Sequence, residues 1–140
     1  MKKVIIAGYF DPLHEGHLDH ITKAAALGDY LYIVTHTDAC TERVKKDRYT
    51  TVEFREFVLN AILGALYTRG AVIVTEGEDI SDVIEMFSPH IFAKGGDRKP
   101  DNMPIAEIRA CERVGCQIVY GVGDLLNRSS EIKNRLGGKV

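Results

Sequence analysis

Apolar positions fall along this chain in short runs, separated by stretches with helical spacing. Val4-Ile5-Ile6-Ala7 is apolar at every position, which predicts a parallel strand buried on both faces. Leu18 to Leu27 has helical periodicity, and Gly28 stops it. Tyr30 to His36 predicts a second strand. Thr50 or Thr51 is placed to cap a long helix reaching about Tyr67, with Val52, Phe54, Val58, Leu59, Ile62, Leu63 and Leu66 as its apolar side. Gly70 ends that unit, and Ala71 to Thr75 predicts a third strand. A short helix capped by Asp79 or Ser81 runs through Phe87, where Ser88-Pro89 breaks it. His90 to Ala93 predicts a fourth strand. Pro104 suits the first turn of a helix reaching Val114. Gln117 to Tyr120 predicts a fifth strand, and Ser129 or Ser130 opens a last helix to Leu136.

Strands and helices therefore alternate along the whole chain, without repeats, low-complexity tracts or a linker. Such alternation implies a parallel sheet joined by right-handed crossovers. The expected fold is α/β: a single Rossmann-like domain over residues 1–140, with a five-stranded parallel sheet and helices on both faces. At 140 residues, 45% hydrophobic and 27% charged, the chain suits one domain with a real core. The formal net charge of −2 gives no general attraction to nucleic acid or to an anionic membrane. No apolar run approaches a membrane span, and Lys2-Lys3 leads straight into a strand rather than a signal-peptide core. Cys40, Cys111 and Cys116 lack Cys-x-x-Cys spacing and read as free thiols of a reducing cytoplasm.

The candidate chemistry is concentrated in Gly8-Tyr9-Phe10-Asp11-Pro12-Leu13-His14-Glu15-Gly16-His17, between the first strand and the first helix. Loops at that end of an open α/β sheet are where ligands bind, and a helix N-terminus favours phosphate. His14 and His17 are three apart and share a helix face, so both rings can donate to one anion. Gly16 between them has no side chain, Gly8 lets a ligand approach the strand end, and Asp11-Pro12 favours a turn whose aspartate bonds nearby N–H groups. His14, His17 and His20 also raise zinc. Steps of three drift around a helix, however, and no nearby cysteine or carboxylate completes a set, so no metal site is assigned. Four cations between Arg43 and Arg48 form a basic segment able to fold over a triphosphate or to remain a solvated loop. Gly121-Val122-Gly123 is half a dinucleotide fingerprint, and no P-loop pattern occurs.

Gly-x-Phe-Asp-x-x-His-x-Gly-His in this setting resembles the signature of the cytidylyltransferase-like nucleotidyltransferases. The likeness spans nearly the whole chain and is strongest to glycerol-3-phosphate cytidylyltransferases and heptose-phosphate adenylyltransferase domains. It implies transfer of a nucleoside monophosphate from CTP or ATP, as the Mg²⁺ complex, to a small phosphorylated polyol or sugar, with release of pyrophosphate. It implies catalytic roles for His14, His17 and Lys46, the lysine matching the family's phosphate-touching position. Nucleotide contacts are implied for Tyr9, Phe10, Gly16, Asp97, Arg128, Ser129 and Ser130. Tyr9 stands where the family more often has Thr or Val. Acceptor contacts are implied for Asp11, Asp38, Lys45 and Arg55, Lys45 standing next to a family lysine that is Val44 here. Lys94-Gly95-Gly96-Asp97 resembles the heptose-type enzymes and supports ATP, while compact size favours the cytidylyl reading. Relatives are usually homodimers, which points to the long helix around Arg55. A nucleotide sensor without turnover is the alternative of a different class.

Overall fold

The computed structural model describes residues 1–96 and 99–123. Its strands are β1 (Lys3–Ala7), β2 (Tyr30–His36), β3 (Gly70–Thr75), β4 (Ile91–Ala93) and β5 (Gln117–Val119). Its helices are α1 (Glu15–Ala25), α2 (Asp38–Lys45), α3 (Val52–Ala65), α4 (Ser81–Phe87) and α5 (Ile105–Val114), with a 3-10 turn at Pro100–Asn102. All five strands are parallel, in the order β3-β2-β1-β4-β5. The expected α/β fold is therefore present.

The apolar runs divide between the two faces by the two-residue period of a strand. Val4 and Ile6 of β1, Leu31 and Ile33 of β2, and Ile91 and Ala93 of β4 pack with Ile21 and Ala24 of α1 and Leu59 and Leu63 of α3. Ile5, Val34 and Phe92 point the other way, onto Val83 and Ile84 of α4 and Ala110 and Cys111 of α5. Chain order reverses at β1, because β2 lies on one side of it and β4 on the other. In an open α/β sheet that reversal opens a crevice beyond the carboxyl ends of the two strands. The loop after β1, with both candidate histidines, sits there.

Two elements differ from expectation. α1 starts at Glu15 rather than Leu18, which makes His14 its N-cap. The basic segment is a loop only from Lys46 onward: α2 covers Asp38–Lys45 and takes in its first half, with the Thr37 hydroxyl accepting from the Cys40 N–H at 3.1 Å. With so little apolar periodicity, this helix was invisible to pattern reading; the cap and the burial of Cys40 and Thr41 hold it. The helix expected from Ser129 or Ser130 lies outside the described residues.

Gly70 begins β3 directly against Leu31 of β2. A Cβ built there would come within 2.2 Å of the Leu31 carbonyl oxygen, a backbone atom that cannot turn aside. Gly70→Ala is expected to destabilise the fold by about 1–3 kcal/mol, the cost of overpacking. Urea unfolding of the variant against wild type measures it.

Candidate active site

α1 is capped by its own histidines. The Gly16 N–H donates to His14 Nδ1 at 3.1 Å, and the His14 N–H donates to His17 Nδ1 at 3.3 Å. Helix starts leave N–H groups without intrahelical partners, and this reciprocal cap satisfies two of them. It also sets the tautomer of both rings. A neutral imidazole that accepts at Nδ1 carries its proton on Nε2, on the far side of the ring. Each histidine thus moves the donor character of a backbone N–H outward by one ring width, and accepting at Nδ1 strengthens the Nε2–H as a donor.

The rings stack at 3.7 Å between centroids and 21° between planes. His17 is held well below its ordinary pKa of 6.5, at about 3, by burial first and then by the positive character of His14, His20 and Lys45. Beneath it the Phe10 ring makes an edge contact at 5.1 Å. Phe10 is a core residue, 2% exposed, and its φ of 52° puts it in the left-handed region. A Cβ on Gly8 would lie 3.2 Å from that ring. The space over Gly8, expected to admit a ligand, is thus filled by the Phe10 ring, which supports His17 from below. The Asp11-Pro12 peptide that follows is cis.

Asp11 is fully buried and accepts from the Tyr49 N–H, the Thr50 N–H and the Thr50 hydroxyl. Arg55 is also fully buried. It donates to Thr50 O at 2.6 Å and His36 O at 2.8 Å, with Asp38 Oδ1 at 3.4 Å. Asp38 in turn accepts from the Val52 N–H at the start of α3. This one network pins the β2–α3 connection against the histidine loop. Its product is the position of Lys45, whose ammonium donates to Asp11 O at 2.7 Å and lies 5.8 Å from the Tyr9 ring centroid. Tyr9 stacks on His36 at 4.2 Å, its hydroxyl pushed up to about 12 by burial and then by Cys40. Its carbonyl accepts from the Thr35 hydroxyl.

The sequence profile described as Cytidylyltransferase-like matches residues 5–119, from β1 through β5. The chain belongs to the cytidylyltransferase-like family. Bifunctional protein HldE of Salmonella enteritidis is 33% identical over 106 residues, which are 76% of this chain and 22% of that protein. HldE of Pelobacter propionicus is 34% identical over 103 residues, 73% of this chain and 21% of its own. The match spans about a fifth of the length of these curated relatives. A lipopolysaccharide core biosynthesis protein from Thermoplasma volcanium has the same fold, at TM-score 0.68 and 22% identity over 89% of this chain and 98% of that one. A protein of unknown function from Archaeoglobus fulgidus follows at TM-score 0.61 and 18% identity, covering 86% and 88%.

Set against that family's pattern, the expected residues separate into groups. His14, Gly16 and His17 converge at the helix start. Asp11, Asp38 and Arg55, expected to meet an acceptor, converge in one network: Asp11 and Arg55 are fully buried, while the Asp38 side chain remains 29% exposed. Arg55 is also too deep to form a contact between subunits. Lys46 is displaced. It is exposed at the C-cap of α2 with φ 68°, while Lys45, one residue earlier, turns toward the histidine loop and acts on His17. Asp97, Arg128, Ser129 and Ser130 lie outside the described residues.

Gly121-Val122-Gly123 proves to be a staple. The Val122 N–H donates to Lys94 O, the carbonyl of Val122 accepts from His20 Nδ1, and a Cβ on Gly123 would meet the His20 Cα at 2.8 Å. Sequence reading gave no individual role to two buried side chains. His36, 3% exposed at the end of β2, is held by Gly77 O and stacks under Tyr9. Lys94 is 8% exposed, 3.8 Å from Glu107 Oε1 and 4.4 Å from the Phe92 ring centroid. Among the described residues, no three His, Cys, Asp or Glu side chains converge as a metal site, and no helix is long and apolar enough to cross a membrane.

Burial lowers the His36 pKa as well as that of His17. With a folded-state value near 3 against 6.5 unfolded, His17 binds a proton in the unfolded chain that the folded chain refuses between those limits. Stability therefore rises with pH across that window: the contribution is complete above pH 6.5 and is lost as pH falls toward 3. Imidazole nitrogen NMR at about pH 5 is expected to find His17 neutral with its proton on Nε2. Denaturation midpoints are expected to fall below about pH 6 and to fall less in His17→Gln.

Proposed function

We propose that this chain transfers a nucleoside monophosphate from a magnesium–nucleoside triphosphate to a small phosphorylated polyol or sugar, releasing pyrophosphate. The observation that carries this reading is the pair of stacked imidazoles at the β1–β4 crevice, both capped through Nδ1 and both left with an Nε2–H donor. An acceptor phosphate has a second pKa near 6 and is largely dianionic at neutral pH, so attack needs no general base. The obstacle is repulsion between two anions. His14, His17 and Lys45 answer it by donating to oxygens of the α- and β-phosphates. An acceptor oxygen attacks the α-phosphorus in line, the bond from that phosphorus to the α,β-bridging oxygen breaks, and the donors hold the charge that gathers on pyrophosphate. Neutral imidazoles suit this role, because no proton need leave before the next substrate enters. Magnesium arrives with the triphosphate, held by its oxygens and by water.

CTP is the first reading, from the end-to-end likeness to glycerol-3-phosphate cytidylyltransferases. ATP is the second, supported by Lys94-Gly95-Gly96-Asp97 and by the identity to HldE. Free, buried Cys40, Cys111 and Cys116 fit a reducing cytoplasm. The test is pyrophosphate release with each of the four nucleoside triphosphates across a panel of sugar and polyol phosphates. Nucleotide binding with no release on any acceptor would favour the sensor instead.

His14→Ala and His17→Ala are each expected to lower turnover about 10²–10³-fold with folding preserved. His14→Ser, which restores a cap without the ring, separates catalysis from helix capping and is expected to stay as slow as His14→Ala. Lys45→Ala is expected to cost more turnover than Lys46→Ala, and the reverse order would reject the assignment of Lys45.

A further inference from the structure

α5 ends in a turn that folds the chain back on its own last helical turn. Gly115 is left-handed at φ 70°. Its N–H donates to the Glu112 carbonyl at 3.4 Å, and the Cys116 N–H donates to the Cys111 carbonyl at 2.8 Å. These two bonds satisfy carbonyls that a helix end leaves open, and they lay the side chain beyond the turn against the one at position 111. An apolar pair ordinarily meets at these two places. Here the pair is two free thiols, Cys111 at 2% and Cys116 at 8% exposure, buried in the same side of the core. They act on each other. The Cys111 pKa is lowered, first by its contact with the Cys116 thiol, while burial and Glu107 raise it and Lys94 lowers it. Cys40 belongs to another part of the fold, with its sulfur 3.7 Å from His36 Nδ1.

We propose that Cys111 and Cys116 form a redox modification site, a dithiol that closes to an internal disulfide and fastens the end of α5 to the start of β5. The co-reactant is a low-molecular-weight disulfide of the glutathione type. Cys111, its proton lost to water, attacks one sulfur of that disulfide, and a small thiolate leaves. Cys116 then loses its proton to water and attacks the Cys111 sulfur, so the mixed disulfide breaks and a second small thiolate leaves. Each leaving thiolate takes up a proton. Two protein thiols are oxidised to one disulfide, and one small disulfide is reduced to two thiols. A disulfide needs two side chains facing each other across a short Cα separation, and the 2.8 Å backbone bond holds the two residues in that relation. Access comes from the edge of the sheet. β5 is an outer strand of three residues, and an element with so few ladder bonds opens locally at low cost. Nothing in this proposal uses the catalytic reading, and either can fail without the other.

The test equilibrates the full chain with mixtures of oxidised and reduced glutathione, quenches with acid and alkylates in denaturant. The expected product is a single chain lighter by two hydrogens, with one alkylatable thiol. Trypsin is expected to give residues 110–113 linked to residues 114–128, a link that dithiothreitol releases. The equilibrium constant for closing the bridge is expected to be at least about 10-fold larger in the folded chain than in urea, because the turn holds the thiols together. Cys116→Ala is expected to form no internal bridge, and Cys40→Ala to close it as wild type does. The wild-type measurement carries the test should a variant fail to fold. Three thiols persisting in oxidised glutathione, a bridge through Cys40 or between two chains, or a constant no larger than in urea would overturn the proposal.

Discussion

Two hydrogen bonds at the start of α1 fix the pair of histidines on which the proposed chemistry rests. A helix must find partners for its first N–H groups, and here they are imidazole nitrogens. The same bonds that finish the helix choose the tautomer of each ring, bring the rings into a stack at 3.7 Å and aim their remaining donors away from the backbone. Capping and the proposed anion recognition thus belong to one arrangement, in which the cap uses Nδ1 of each ring. Burial and the neighbouring His14 also discourage a charge on His17, which keeps that ring neutral. Phe10, folded back under His17 through a positive φ, supplies the dry floor on which that choice rests.

The second constraint is the buried network of Asp11, Thr50, Arg55 and Asp38. Fully buried charges are tolerated when they are paired and bonded, and breaking such a group is costly. These residues hold the β2–α3 connection where Lys45 overlooks the histidines. Asp11, Asp38 and Arg55, all expected at an acceptor, thus also serve as parts of the frame. Burial marks that role for two of them: Asp11 and Arg55 are 0% exposed, so their charge is balanced inside the protein.

Much of this was legible in the chain itself. The four-residue apolar run at Val4 and its counterparts at Tyr30, Ala71, His90 and Gln117 were enough to find all five strands, because a strand buried on both faces has little freedom of composition. His14-x-Gly-His17 foretold that two imidazoles meet at the helix start, since spacing within one helical turn is a local property. The lysine was not legible. Lys45 and Lys46 are chemically identical neighbours, and one residue along α2 turns a side chain by about 100°. Only the packing of that helix on the sheet decides which of them faces the site.

The sequence alone determined the fold class, the number of strands, and the meeting of two imidazoles with a helix start. Each depends on periodicity or on residues within a turn of one another. The tertiary structure decided that β4 lies beside β1 and opens the crevice there. It decided that Arg55 pairs with Asp38, that Asp11 is closed off by Tyr49 and Thr50, and that α3 keeps its phenylalanines outside. Those outcomes depend on contacts between segments far apart in the chain, and on which way a helix is rotated when it docks. A pattern of polar and apolar letters does not carry that rotation.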